Sequence, residues 1–184
     1  MGKFNNPGII ATAVALPLAA LAGFGAYSFL QSTLDDGGSD SGQQTLEPVE
    51  LEPRDLDEDT LTLCLALTAS VPDSLAELDK RQVTGGENIN EYTLAYGDPA
   101  ITAMCGDADP EVDDTEEVYV INDVCWIDRE AEGGTEFISV DREITVAVDV
   151  PEEYEQGVDA LNELSPSIAE YVPTADEAPS GCTA

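Results

Sequence analysis

The chain has 184 residues, 39 of them acidic against 6 basic, with no histidine and a formal net charge of −33. So few cations exclude nucleic acid as a partner, because phosphate binding relies on Lys and Arg displacing counterions. The lack of histidine excludes Ser-His-Asp and Cys-His catalysis and imidazole metal sites.

From Gly8 to Leu30 the sequence reads GIIATAVALPLAALAGFGAYSFL, without a charge. A helix of that length spans about 34 Å, against a hydrocarbon core of about 30 Å. Lys3 precedes the run, and Asp35 and Asp36 follow it. This asymmetry predicts a cytoplasmic segment 1–7, a transmembrane helix 8–30 and an exported remainder. The competing reading is a cleaved signal peptide, with Ile9–Leu18 as its apolar core and Ala20-Leu21-Ala22 as its cleavage site. The apolar run continues through Phe24, Tyr27 and Leu30, which favours a retained single-pass anchor in the cell membrane. Both readings export residues 31–184.

Residues 31–56 carry −6 and are rich in Gly, Ser, Gln, Asp, Glu and Pro. Such a segment buries too little apolar surface to offset its ordering entropy, so it reads as a disordered acidic linker. Residues 57–184 carry −28 and have the size of one extracytoplasmic domain. All four cysteines, Cys64, Cys105, Cys125 and Cys182, fall in it. An even count in an exported domain predicts two disulfides, and all three connectivities are open. Zinc is disfavoured because no Cys-x-x-Cys pair occurs.

Acids leading the apolar run Asp57–Ala69 predict a helix over Asp59–Ala69, stopped before Val71-Pro72. Asp73–Leu78 reads as a short helical turn. Tyr92–Tyr96 and Ala100–Cys105 read as strands around Gly97-Asp98-Pro99. Glu117–Ile121 and Val124–Ile127 flank Asn122-Asp123, two residues that tolerate positive φ, and predict a hairpin. Phe137–Val140 and Ile144–Val150 flank Asp141-Arg142 and suggest a second. Pro151 with Glu152 and Glu153 opens a helix over Glu152–Leu164, with Tyr154, Val158, Leu161 and Leu164 at helical spacing. A separate segment, Ser167–Tyr171, follows Ser165-Pro166. The order predicts an α+β fold in which helices cover a mainly antiparallel sheet of about five strands.

Several side chains are candidates for chemistry. In Cys105–Glu117 the carboxylates Asp107, Asp109, Glu111, Asp113 and Asp114 offer hard oxygens to Ca²⁺. The plainer reading is a solvated loop, since Pro110 and Glu111 occupy the centre and no glycine supplies an EF-hand turn. No other cofactor is expected. Asp98 before Pro99 is a candidate ligand or partner contact, against the plainer role of turn capping. Trp126, the only tryptophan, is a candidate partner contact, against core packing. Gly85-Gly86 and Gly133-Gly134 lack phosphate-loop spacing and read as turns.

Tyr96-Gly97-Asp98-Pro99, Cys105-Gly106, Val120-Ile121-Asn122-Asp123-Val124-Cys125-Trp126, Asp141-Arg142 and Leu164-Ser165 occur in that order. With them, residues 60–172 resemble an uncharacterised actinobacterial family of exported, membrane-anchored proteins, a domain of unknown function. The resemblance implies an actinobacterial envelope location and no activity. It also implies Cys64–Cys105 and Cys125–Cys182 pairing, since the first two match the family pattern and the others look like additions. The expected function is a non-catalytic interaction module, or an accessory subunit of a larger membrane complex such as a respiratory assembly. Its expected partners are the membrane, through the N-terminal helix, and another envelope protein. The alternative is a domain that binds cations or a cell-wall ligand, or hydrolyses the latter.

Overall fold

Asp57 starts the first helix, α1 (Glu58–Ser70): its carboxylate accepts from the Asp59 and Thr60 N–H groups, both at 3.0 Å. These donors have no intrahelical acceptor, which is the reason an N-terminal aspartate stabilises the turn. The helix ends where Pro72 forces Val71 into extended backbone (φ −73°, ψ 151°). It runs one residue beyond the predicted helix at each end. The computed structural model describes residues 47–106, 110–113, 116–154 and 157–182, all within the unit Leu46–Ala184. The predicted span 8–30 lies outside the described residues, and among those no helix is long and apolar enough to cross a membrane.

The strands are β1 (Val49–Glu50), β2 (Ser74–Leu75), β3 (Leu78–Asp79), β4 (Val83–Thr84), β5 (Thr93–Tyr96), β6 (Ile101–Cys105), β7 (Tyr119–Ile121), β8 (Val124–Ala131), β9 (Gly134–Ser139) and β10 (Val146–Pro151). A second helix, α2 (Gly157–Tyr171), follows. The main sheet has six antiparallel strands in the order β5-β6-β10-β9-β8-β7. One register row runs from Leu94 through Ala103, Val148 and Phe137 to Asp128, and another from Ser139 through Trp126 to Tyr119. The fold is α+β, as the element order predicts.

Several expectations are corrected. Asp73–Leu78 is no helical turn: β2 and β3 pair across Ala76 and Glu77, whose φ angles are 50° and 64°. Both central residues at positive φ make the two-residue turn whose twist matches a hairpin. Pro151 ends β10 instead of starting a helix, and Ser167–Tyr171 is not separate: α2 runs through Pro166 without a break. Residues 47–56, expected as the end of the linker, are held: β1 pairs in parallel with β4, and Val49, Leu51 and Leu56 pack on the core. Residues 31–46 lie outside the described residues. Gly85 faces Leu51 there, and a Cβ at that position would overlap the Leu51 carbonyl.

The two predicted hairpins fare differently. Asn122 (φ 46°) and Asp123 (φ 65°) form the two-residue turn between β7 and β8. Asp141-Arg142 does not form one; β9 and β10 are joined by residues 140–145, because both side chains turn inward to other partners. The unpredicted hairpin joins β8 to β9 at Gly133 (φ 86°), and Gly134 lies so close to the Val150 carbonyl that a Cβ would overlap it.

Both helices pack on one sheet face. Cys64 of α1 is bonded to Cys105 of β6, and α2 buries Leu161, Leu164, Ser165 and Ile168 at three- and four-residue steps. The opposite face is not left to solvent. Ile127, Ile138 and Ala147 form a buried row across β8, β9 and β10, beside buried Cys125. Described parts of the acidic segment and the C-terminal tail reach this side. Arg129 donates to the Glu111 carbonyl at 2.8 Å, Cys125 is bonded to Cys182, and Gly181 abuts Val118.

Candidate partner-binding groove

The cysteines form two bonds, Cys64–Cys105 and Cys125–Cys182, the pairing the resemblance implies. Each closes a long loop, with sequence separations of 41 and 57. Long loops lose the most unfolded-state freedom on cross-linking.

Trp126 is fully buried, and its Nε1–H donates to the Ser165 hydroxyl at 3.1 Å. Its ring therefore belongs to the core. Asn122 of the adjoining turn donates to the Asn162 carbonyl at 2.8 Å. Asp141 accepts from the Cys125 N–H at 3.0 Å and lies 3.3 Å from Arg142 Nε. Arg142 in turn donates to the carbonyls of Asp123 and Val172. Residues scattered from 122 to 172 thus fasten the β7–β8 turn to the middle and the end of α2. A buried cation with fork-shaped donors suits that task, since it can serve several carbonyls at once.

Asp98 is exposed at the opposite end of the sheet, 3.6 Å from Arg81. Arg81 also donates to the Gly97 carbonyl at 2.8 Å, and the Tyr154 hydroxyl donates to the Pro99 carbonyl at 2.6 Å. These contacts fix a turn, and they leave the Asp98 carboxylate 70% exposed. Asp107, Asp109 and Asp114 lie outside the described residues. Glu111 and Asp113 are exposed, and the Asp113 N–H donates to Glu116, which pairs with Arg129. Among the described residues no three His, Cys, Asp or Glu side chains cluster as metal ligands.

One surface stands apart. Between the edge strand β7 and α2 lies a groove of about 460 Å³, lined by Tyr119, Val120, Ile121, Asp128, Phe137, Val158 and Leu161. Tyr119 and Val158, which face each other across it, are 43% and 47% exposed, and Val120, 56% exposed, extends the open edge with its side chain on the other face of the sheet. Through Phe137 and Val158 the groove adjoins a larger cleft of about 670 Å³, edged by Glu130 and Glu152. No Lys or Arg lines either one. The carboxylates of Asp128 and Glu117 raise the pKa of the Tyr119 phenol above its usual value.

Sequence spacing assigns Val158 to the buried face of its helix, with Leu161 and Leu164. The structure leaves it 47% exposed, in the first turn of α2, where it borders the open groove beside β7. Tyr119 is hidden for a different reason: alternation reveals two faces of a strand but not that the strand ends the sheet. Neither a curated protein nor a solved structure matches the chain. A family model described as "Protein of unknown function (DUF3515)" matches residues 14–177. That match spans nearly the whole chain and the groove with it, and the chain belongs to this family.

Proposed function

We propose that this is a non-catalytic protein of the actinobacterial cell envelope, anchored by residues 8–30, whose exported domain binds another protein. The role that fits best is an accessory subunit of a membrane complex, such as a respiratory assembly. The observation that carries the reading is the open apolar groove beside β7, with Asp128 in its lining, Glu117 beside Tyr119 and no basic side chain among its lining residues. Exposed apolar patches with polar rims mark protein interaction sites. Two features support the location: the uncharged run Gly8–Leu30, and two disulfides that suit an oxidising compartment. The rigid frame built by Trp126, Asn122 and Arg142 holds the groove's edge strand against α2.

The test is purification of the full chain from its own membranes in mild detergent, with quantitative mass spectrometry of the eluate. A partner at fixed stoichiometry is the expected result. A chain that elutes alone, and whose melting temperature rises with added Ca²⁺, would replace this reading with cation binding.

A further inference from the structure

We propose that the groove receives an extended, lysine- or arginine-bearing segment of the partner, added as a strand to the free edge of β7. This rests on the partner-binding reading above and names the chemistry of the bound segment.

The two edges of the main sheet differ. The outer side of β5 is occupied by the chain itself: the Arg81 N–H donates to the Ala95 carbonyl at 2.7 Å, the Gly97 N–H donates to the Asp79 carbonyl at 3.1 Å, and Lys80 bridges to Tyr96. The outer side of β7 has no strand beside it among the described residues. An open edge is a template for a further strand, and proteins that do not use one blunt it with charge or cover. Here the edge carries Tyr119, Val120 and Ile121, and Val120 is the most exposed large apolar side chain described. A strand laid along it would point alternate side chains into the groove, over Phe137 and Val158.

Charge selects the occupant. Asp128 stands in the groove, exposed Glu117 precedes β7, and Glu130 and Glu152 edge the adjoining cleft. A second copy of this chain pairing edge to edge would bring the same carboxylates together within a protein of net charge −33. A segment with Lys or Arg beside apolar residues meets both the floor and the rim.

The probe is a short synthetic peptide alternating Lys and Val, titrated against the full oxidised chain in zwitterionic nanodiscs; a Glu–Val peptide is the control. The expected result is saturable binding of the Lys–Val peptide, weakened about tenfold by raised salt, with the Val120 backbone amide resonance shifted. Val158→Lys and Tyr119→Lys each place a cation in the groove at an exposed site and should weaken binding by about tenfold or more. Leu65→Lys, at a 47% exposed position on α1, should leave it unchanged. No binding, equal binding of the Glu–Val peptide, or equal binding by Val158→Lys overturns the proposal. Native purification separates the two failures. A partner retained at full stoichiometry by Val158→Lys overturns the groove and leaves the interaction reading standing; no partner with the wild-type chain removes the interaction reading itself.

Discussion

The side-chain amide of Asn122 donates at 2.8 Å to the carbonyl of Asn162, the group that a helical N–H at position 166 would otherwise serve. Pro166 has no N–H, so α2 carries an orphaned acceptor in its middle. The turn residue fills that vacancy from outside the helix. Asn122→Gly keeps a residue that accepts positive φ and removes the amide. It should cost about 0.5–1 kcal/mol in urea unfolding of the oxidised chain. Pro166→Ala restores the internal donor, and in that background Asn122→Gly should cost measurably less.

Trp126 and Ser165 form the next contact inward, both fully buried. Ser165→Ala leaves the indole N–H without an acceptor and should destabilise by about 1–3 kcal/mol. Trp126 is the single tryptophan, so the native emission should be blue-shifted and shielded from iodide. An emission maximum typical of exposed indole would contradict this placement.

Asp141 and Arg142 are almost completely buried, at 9% and 5% side-chain exposure. Arg142→Ala strands the Asp141 carboxylate and releases the Asp123 and Val172 carbonyls. The expected loss is about 3–5 kcal/mol, the range for breaking one side of a buried pair. Arg142→Lys should recover only part of it, because an ammonium cannot span the same set of carbonyls. Thermal unfolding of both variants measures the difference.

The two disulfides should separate under mild reductant. Cys64 and Cys105 are both buried, whereas Cys182 is only partly buried. Timed alkylation and peptide mapping should find Cys125 and Cys182 labelled first, since a thiolate must reach the sulfur it attacks. Replacing either pair with Ala should lower stability by up to about 4 kcal/mol on the loop-entropy model. The Cys64–Cys105 replacement should cost more, because it also empties core volume.

Tyr96 sets an alkaline limit. Its hydroxyl donates to the Pro72 carbonyl at 2.9 Å, and burial, then the charges of Asp73 and Glu163, push its pKa up to about 12. Above pH 10 the unfolded chain gives up this proton while the folded chain keeps it. The contribution is therefore complete below pH 10 and fades as pH rises toward 12. Urea unfolding across that window should show stability falling, and Tyr96→Phe should flatten the fall.

The acidic start of the first helix, the positive-φ pair Asn122-Asp123 and the stop at Pro72 were legible because each acts on its own neighbours. A charged helix start, a turn and a proline need no knowledge of the rest of the chain. Asp141-Arg142 resembled a turn for the same local reasons, yet its side chains answer to Cys125 and Val172. Pro166 looked like a helix boundary because the amide that compensates it belongs to Asn122, 40 residues before the Asn162 carbonyl it serves. The same holds for Val158 and Tyr119, whose exposure depends on which strand ends the sheet.

By itself the sequence determined the charge of −33, the uncharged run at Gly8–Leu30, the α+β class and the presence of four cysteines in the domain. These follow from composition and from periodicities a few residues long. Only the tertiary structure decided that the β5 edge is covered, that no strand lies beside β7 among the described residues, and that Trp126 is buried while its cross-strand partner Tyr119 is exposed. Those outcomes depend on long-range strand order, because a side chain's burial is set by what the chain brings over it.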